Sequence, residues 1–182
     1  MLVNLLSIFL MLVPGDSHDA LLEELAIKSA SLFPIIEVAD LYCGSGMDAD
    51  IPLRYPIHEK RRISSAYGYR SDPLTGKRSF HSGIDYACGL ATPVRATARG
   101  KVVFVGRRGG YGKCIEVKHK YGFTTLYGHL SGYYVKNGTT VFPGQVIGFV
   151  GTTGRSTGYH LHYEVRKNNR VIEPLFLNLW IR

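Results

Sequence analysis

Tyr159-His160-Leu161-His162-Tyr163-Glu164-Val165 packs aromatic, apolar and β-branched residues into one short run, the composition of a β-strand. Side chains on a strand alternate faces with a period of two. His160, His162 and Glu164 therefore share one face, and Leu161, Tyr163 and Val165 share the other. The two imidazoles lie about 7 Å apart along that face, at a rise of roughly 3.3 Å per residue. Both can point into one small volume, which is how a rigid element offers two nitrogen donors to a metal ion. Two surface histidines on a half-buried strand satisfy the same pattern. The rest of the chain has to decide.

The chain has 182 residues, 45% of them hydrophobic, with 21 Gly, 12 Tyr and 8 Phe. That content supports a core, and short alternating runs with frequent glycine favour β structure with tight turns. Strand signals recur over 63–69, 94–97, 101–105, 113–118, 123–127, 141–150 and 171–172. Between them stand turn signals at Asp72-Pro73 with Gly76, Arg99-Gly100, Arg107-Arg108-Gly109-Gly110, Pro143-Gly144 and Asn168-Asn169. With no helical run among these strands, the expected fold is an all-β antiparallel sandwich or open barrel. A short N-terminal helical appendage precedes it.

Residues 2–13 are nearly all apolar, resembling the core of an export signal, although no Lys or Arg precedes them. We assign 1–15 as a signal-like segment, 16–50 as an acidic helix and linker, and 51–182 as the main domain. Within the acidic part, 19–31 carries an apolar stripe at helical spacing. No apolar run reaches the roughly 18 residues of a membrane-spanning helix, so no stable transmembrane anchor is expected.

Charge divides the chain at the same place. Residues 1–50 hold one base and eight acids, a net of −7, and residues 51–182 hold 21 bases and six acids, a net of +15. Such a basic domain suits an anionic polymer, either nucleic acid or a cell-wall polymer. A solvated basic surface is the plain alternative. No aromatic-basic motif of a nucleic-acid module is present, so nucleic acid is not the expected partner. The acidic leader reads as a tether with a solvated acidic face; it also has the charge to cover the basic domain, with Asp48 or Asp50 approaching a metal. Cys43, Cys88 and Cys114 match no zinc-ribbon spacing, and their odd number permits at most one internal disulfide.

His81 stands four residues before Asp85, and His129 follows Tyr127-Gly128 at a strand end. Zinc accepts imidazole and carboxylate ligands, and a catalytic zinc keeps one position open for water. His81, Asp85 and one of His160 and His162 would supply three ligands. Two imidazoles would remain nearby to move protons. His18, His58 and His119 show no partner pattern and read as surface residues. By parity Glu164 faces the site, where it would orient a ligand or pair with a base. Tyr69, Tyr111, Tyr127 and Tyr159 are candidates to line a groove.

Three stretches, His81-x-x-x-Asp85, Tyr127-Gly-His-Leu130 and Gly154-Arg-Ser-Thr-Gly-Tyr-His-Leu-His-Tyr-Glu164, together resemble the lysostaphin/LytM-type zinc endopeptidases of bacterial cell walls. The runs at 63–70, 98–102 and 141–148 extend the likeness over about residues 51–177. The resemblance implies Zn²⁺ held by His81, Asp85 and His162, with His129 and His160 catalytic. It implies hydrolysis of peptide bonds in peptidoglycan stems or bridges, at Gly-Gly or D-amino-acid linkages, and a protein exported to the periplasm or cell envelope. Anionic cell-wall polymers are further expected partners. Tyr159 departs from the family, which often has Pro there, and Cys114 stands where an apolar or aromatic residue is usual. Some relatives have lost zinc ligands and only activate other wall hydrolases. That non-catalytic reading is the alternative, although all five chemical positions are kept here.

Overall fold

The computed structural model describes Lys28, residues 49–58 and residues 62–174. Segment 1–15 and all of the acidic leader before Ala49 except Lys28 lie outside the described residues. The domain begins with β1 (Arg62–Ser65), β2 (Gly68–Ser71), β3 (Arg78–His81), β4 (Ile84–Ala87), β5 (Pro93–Arg95) and β6 (Gly100–Arg107). It continues with β7 (Lys113–Lys118), β8 (Phe123–Gly128), β9 (Leu130–Tyr133), β10 (Thr140–Val141), β11 (Val146–Val150), β12 (His160–Lys167) and β13 (Arg170–Ile172). Every pairing among these strands is antiparallel.

The main sheet runs β1-β4-β12-β8-β7-β6-β10, with β13 also on β12. A second sheet runs β5-β11-β9, and β2-β3 forms a separate hairpin. The all-β antiparallel expectation holds. The single strand expected over 63–69 is instead two, because Gly68 has φ 113, a conformation that glycine adopts without steric cost. β1 stays in the main sheet and β2 leaves it to pair with β3. Asn168 and Asn169 turn the chain between β12 and β13 with φ 48 and 65, as a two-residue hairpin turn requires.

The period-two reading of β12 is visible in its packing. Leu161, Tyr163 and Val165 are fully buried in the core with Tyr127, Phe123, Ile115 and Ile84. Each such apolar side chain contributes on the order of 2 kcal/mol by leaving water. Ile51 and Ile57, which precede the first strand, are buried in the same core. Asp50 is buried beside them and pairs with Arg99 and Lys120, each at 3.0 Å. Its carboxylate is thus committed to those two bases and not to a metal; Asp48 lies outside the described residues. Cys114 is buried as a free thiol, and Cys88 is half-buried.

Two residues expected at the surface or the groove are internal. His119 is buried, with one ring nitrogen 2.8 Å from the Arg99 carbonyl and the other 2.8 Å from Thr125 Oγ1. Tyr127 is fully buried, and its hydroxyl meets Thr97 Oγ1 at 3.1 Å and accepts from Thr125 Oγ1 at 3.1 Å. A hairpin histidine and a strand tyrosine give no sequence signal of such a network. Burial pushes the His119 imidazole down to about 4, against the opposing pull of the Arg99 carbonyl and Asp50.

This gives a pH dependence with a definite sign. The unfolded imidazole titrates near 6.5, so between pH 6.5 and about 4 the unfolded chain binds a proton that the folded chain refuses. The stabilisation is complete above pH 6.5 and is lost as pH falls through that window, by up to ~3 kcal/mol. Urea unfolding at pH 4 and pH 7 should show a larger acid loss for the native chain than for His119→Gln. Equal losses would remove His119 as the cause.

Candidate metal centre and cleft

β12 lies between β4 and β8, with His162 opposite Asp85 on one side and opposite Gly128 on the other. Register alone therefore sets Asp85 and His162 side by side. His81 ends β3, and Ser82-Gly83 bends the chain into β4. A Cβ on Gly83 would lie 2.4 Å from the Tyr163 carbonyl oxygen and 3.0 Å from His162 Cε1. Only glycine lets the bend pass so close to β12. The result is a buried triad of His81, Asp85 and His162 whose candidate ligand atoms all lie within 4.8 Å of one another.

Hydrogen-bond chemistry identifies the nitrogen that each imidazole offers. His81 Nδ1 is 2.7 Å from the Ala66 carbonyl, which only accepts, so Nδ1 carries the hydrogen and Nε2 presents a lone pair. His162 Nε2 is 3.0 Å from Glu164 Oε1, so His162 offers Nδ1. His81 Nε2, His162 Nδ1 and Asp85 Oδ1 then form a triangle with sides of 3.1, 2.8 and 3.1 Å. Tetrahedral zinc ligands at 2.0–2.1 Å stand ~3.3 Å apart. Two nitrogens and one carboxylate oxygen suit zinc, whereas calcium and magnesium prefer oxygen shells. The residues present fit a zinc ion.

Each member of the triad is held from outside. The Ala66 carbonyl orients His81. Asp85 Oδ2 faces Arg70 Nη2 at 3.8 Å. His162 is held by Glu164, which is fully buried and also accepts from the Ser82 and Tyr111 hydroxyls and from Arg166. The parity reading placed Glu164 on the site face, and there it braces His162. Ser82, Tyr111 and Arg166 act through that one carboxylate, a convergence that sequence spacing does not reveal.

Electrostatics follow from these contacts. Burial works against the charge on Asp85, but the flanking His162 and His81 imidazoles outweigh it and hold the carboxyl well below the usual range. Burial likewise opposes the charges on His162 and Glu164. Their mutual pairing, with Asp85 on the other side of His162, raises the imidazole to about 9 and lowers the Glu164 carboxyl to about 2. A bound metal cation would take the place of the imidazole proton, because ligands bind deprotonated.

His129 and His160 lie against the triad, their rings 4.7 Å apart, with His129 5.7 Å from the His162 ring. His129 Nδ1 donates to the Thr153 carbonyl at 2.8 Å, and His160 Nδ1 to the Gly158 carbonyl at 2.9 Å. Both keep Nε2 as an acceptor, and His160 Nε2 lies 3.8 Å from Asp85 Oδ1. Burial lowers His129 to about 4, so its imidazole is neutral at neutral pH. Its backbone takes φ 60, which breaks the strand alternation after Tyr127 and turns His129 away from the core face.

These groups line a cleft of about 520 Å³, walled on one side by the β2-β3 hairpin and on the other by Gly110-Tyr111 and 155–157. An ion pair of 2.7 Å between Arg155 and Asp72 spans the two walls. Of the four tyrosines proposed for the groove, Tyr111 lines the cleft. Tyr69 and Tyr159 are exposed and Tyr127 is buried.

Comparison with known proteins follows the same residues. The model for Peptidase family M23 matches residues 79–174, a span that contains the triad and both further histidines. The chain is 51% identical over 118 residues to the DD-carboxypeptidase/endopeptidase Mpg of Neisseria meningitidis serogroup B, covering 65% of this chain and 27% of that protein. It therefore spans about a quarter of the length of that curated relative. A zinc-containing peptidase from Vibrio cholerae superposes with a TM-score of 0.62 at 37% identity, over 66% of this chain and 38% of the other. The catalytic domain of lysostaphin from Staphylococcus simulans does so at 0.57 and 34%, over 63% of this chain and 89% of the other. With more than half of its length matched to the family model and these folds in register with it, the chain belongs to peptidase family M23.

Proposed function

We propose that the chain is a zinc-dependent endopeptidase that hydrolyses peptide bonds in the stem peptides or cross-bridges of peptidoglycan, in the periplasm or cell envelope. One observation carries this reading: a buried His-Asp-His triad with two further imidazoles beside it at the floor of an open cleft. Relatives named as peptidoglycan DD-endopeptidases support the substrate. No helix among the described residues is long and apolar enough to cross a membrane. The basic domain, with its net charge of +15 over 51–182, suits attraction to anionic wall polymers.

His81 Nε2, Asp85 Oδ1 and His162 Nδ1 would hold the ion. Zinc there supplies Lewis acidity, polarising the scissile carbonyl and making a neighbouring water acidic. The chain supplies the proton traffic. His129, neutral and fixed through Thr153, presents Nε2 to accept the proton of the attacking water. His160, fixed through Gly158, stands 4.7 Å away ring to ring and offers its own Nε2 as a second acceptor for the protons of that water. The protonated imidazole then returns its proton to the leaving amine. Purified protein incubated with sacculi should release peptides, and a chelator should stop the release. A protein loaded with one zinc per chain that releases none supports the non-catalytic module instead.

Glu164 fixes which nitrogen of His162 faces the metal. Glu164→Gln keeps the size but can present an amide N–H to Nε2, which removes the selection of Nδ1. Zinc affinity, measured by chelator competition, should fall by about 10- to 100-fold. Unchanged affinity would show that the buried carboxylate serves only the fold.

A further inference from the structure

The cleft holds a guanidinium that the proposed mechanism leaves without a task. Arg70 lies on β2 opposite Ser79, two residue pairs from Gly68 and His81, and its side chain is 29% exposed. Its Nη1 reaches the Ser71 carbonyl at only 3.5 Å. Its Nε is buried and has no hydrogen-bond partner among the described residues. The other arginine of the cleft is committed, since Arg155 pairs with Asp72 at 2.7 Å. Among the described residues the one carboxylate facing Arg70 is Asp85, whose far oxygen lies 3.8 Å away. Among the residues lining the cleft, two arginines stand against two aspartates. A divalent cation leaves that lining net positive, and Arg70 is the base not already taken.

We propose that Arg70 binds a free carboxylate on the substrate residue that flanks the scissile bond, and so selects the substrate class; this rests on the hydrolase reading above. The guanidinium lies 3.8 Å from a carboxylate that holds the metal. The guanidinium therefore borders the metal pocket, on the side of the cleft where a residue adjoining the attacked bond would lie. Arginine's planar fork matches a carboxylate in a way that a neutral amide does not.

The chemistry narrows the substrate further. Within an ordinary peptide each α-carboxyl is consumed by the next bond. Acidic residues aside, a free carboxylate on the amine-side residue exists only where that residue ends its chain or is joined through its side-chain amine. The site therefore favours terminal or side-chain-linked bonds over those within a neutral bridge such as Gly-Gly.

The test uses two synthetic peptides that differ only in the amine-side residue, one with a free carboxylate and one with a carboxamide. The full chain, with its zinc content measured, should show a kcat/KM ratio of about 10 to 100 in favour of the carboxylate. In Arg70→Gln the ratio should fall to near one, and in Arg155→Gln it should persist. The ratio is read within each variant, so a general loss of rate cancels. Should Arg70→Gln fail to hold zinc, Arg70→Lys keeps the charge without the fork, and its ratio should fall below that of the native chain. A native ratio near one overturns the proposal while leaving the hydrolase reading intact. So does a ratio unchanged by Arg70→Gln, or by Arg70→Lys where that variant decides. Failure to hydrolyse either peptide overturns both readings.

Discussion

Asp85→Ala is expected to lose zinc and hydrolysis together. Asp85 Oδ1 is the corner shared by both imidazoles, 3.1 Å from His81 Nε2 and 2.8 Å from His162 Nδ1. Without it the pocket offers two nitrogens and no anionic donor, and His162 loses one of the two carboxylates that hold it. The backbone of β4 keeps its ladder partners on β1 and β12, so the fold should survive. Zinc contributes several kcal/mol of charge stabilisation to the transition state, so hydrolysis of wall peptides should fall by at least about 10³-fold. Elemental analysis should find less than a tenth of the native zinc, with the far-ultraviolet circular dichroism retained. Native zinc content with native turnover in this variant would remove Asp85 from the ligand set.

His129→Asn should separate chemistry from metal binding. Its turnover is expected to drop by about 10²- to 10⁴-fold, the usual contribution of a positioned acid or base, while zinc stays at one per chain. Asparagine is the better replacement because residue 129 has φ 60, a left-handed conformation that Asn tolerates and Ala resists. A lesion in alanine alone would mix backbone strain with the lost imidazole. His160, held by the Gly158 carbonyl, should give a similar loss with zinc retained. Full-rate release of peptides by zinc-loaded His129→Asn would assign the proton transfer elsewhere.

Much of the site was legible because it is local. Alternation along 159–165 correctly separated the core residues Leu161, Tyr163 and Val165 from the face of His160, His162 and Glu164. It could not say that Asp85 stands across the ladder from His162, since register between strands 77 residues apart is set by the whole sheet. Tyr127, one of four tyrosines offered for the groove, is instead in the core. It lies two residues before His129, and alternation would put both on one face, but the left-handed backbone at His129 breaks the count. His119 sits in a short connection that reads as exposed, and the contacts that bury it, from Arg99 and Thr125, are tertiary. Arg70 and Arg155 carried no motif signal by themselves, and only the folded hairpin brings Arg70 beside Asp85 and Asp72 beside Arg155.

The bend at Ser82-Gly83 sets a rule for changes in chain length. His81 leaves β3, passes Gly83 under β12 at a separation that a methyl group would fill, and returns as Asp85 opposite His162. One added residue between 81 and 85 would shift every side chain of β4 to the other face and take the carboxylate out of the pocket. The turn at 136–139, before β10, has no member among the residues of the cleft. Lengthening it, or exchanging it for a tag or a binding peptide, leaves the metal pocket in register. The chain thus divides into a stretch of fixed length around the bend and connections whose length is free to vary.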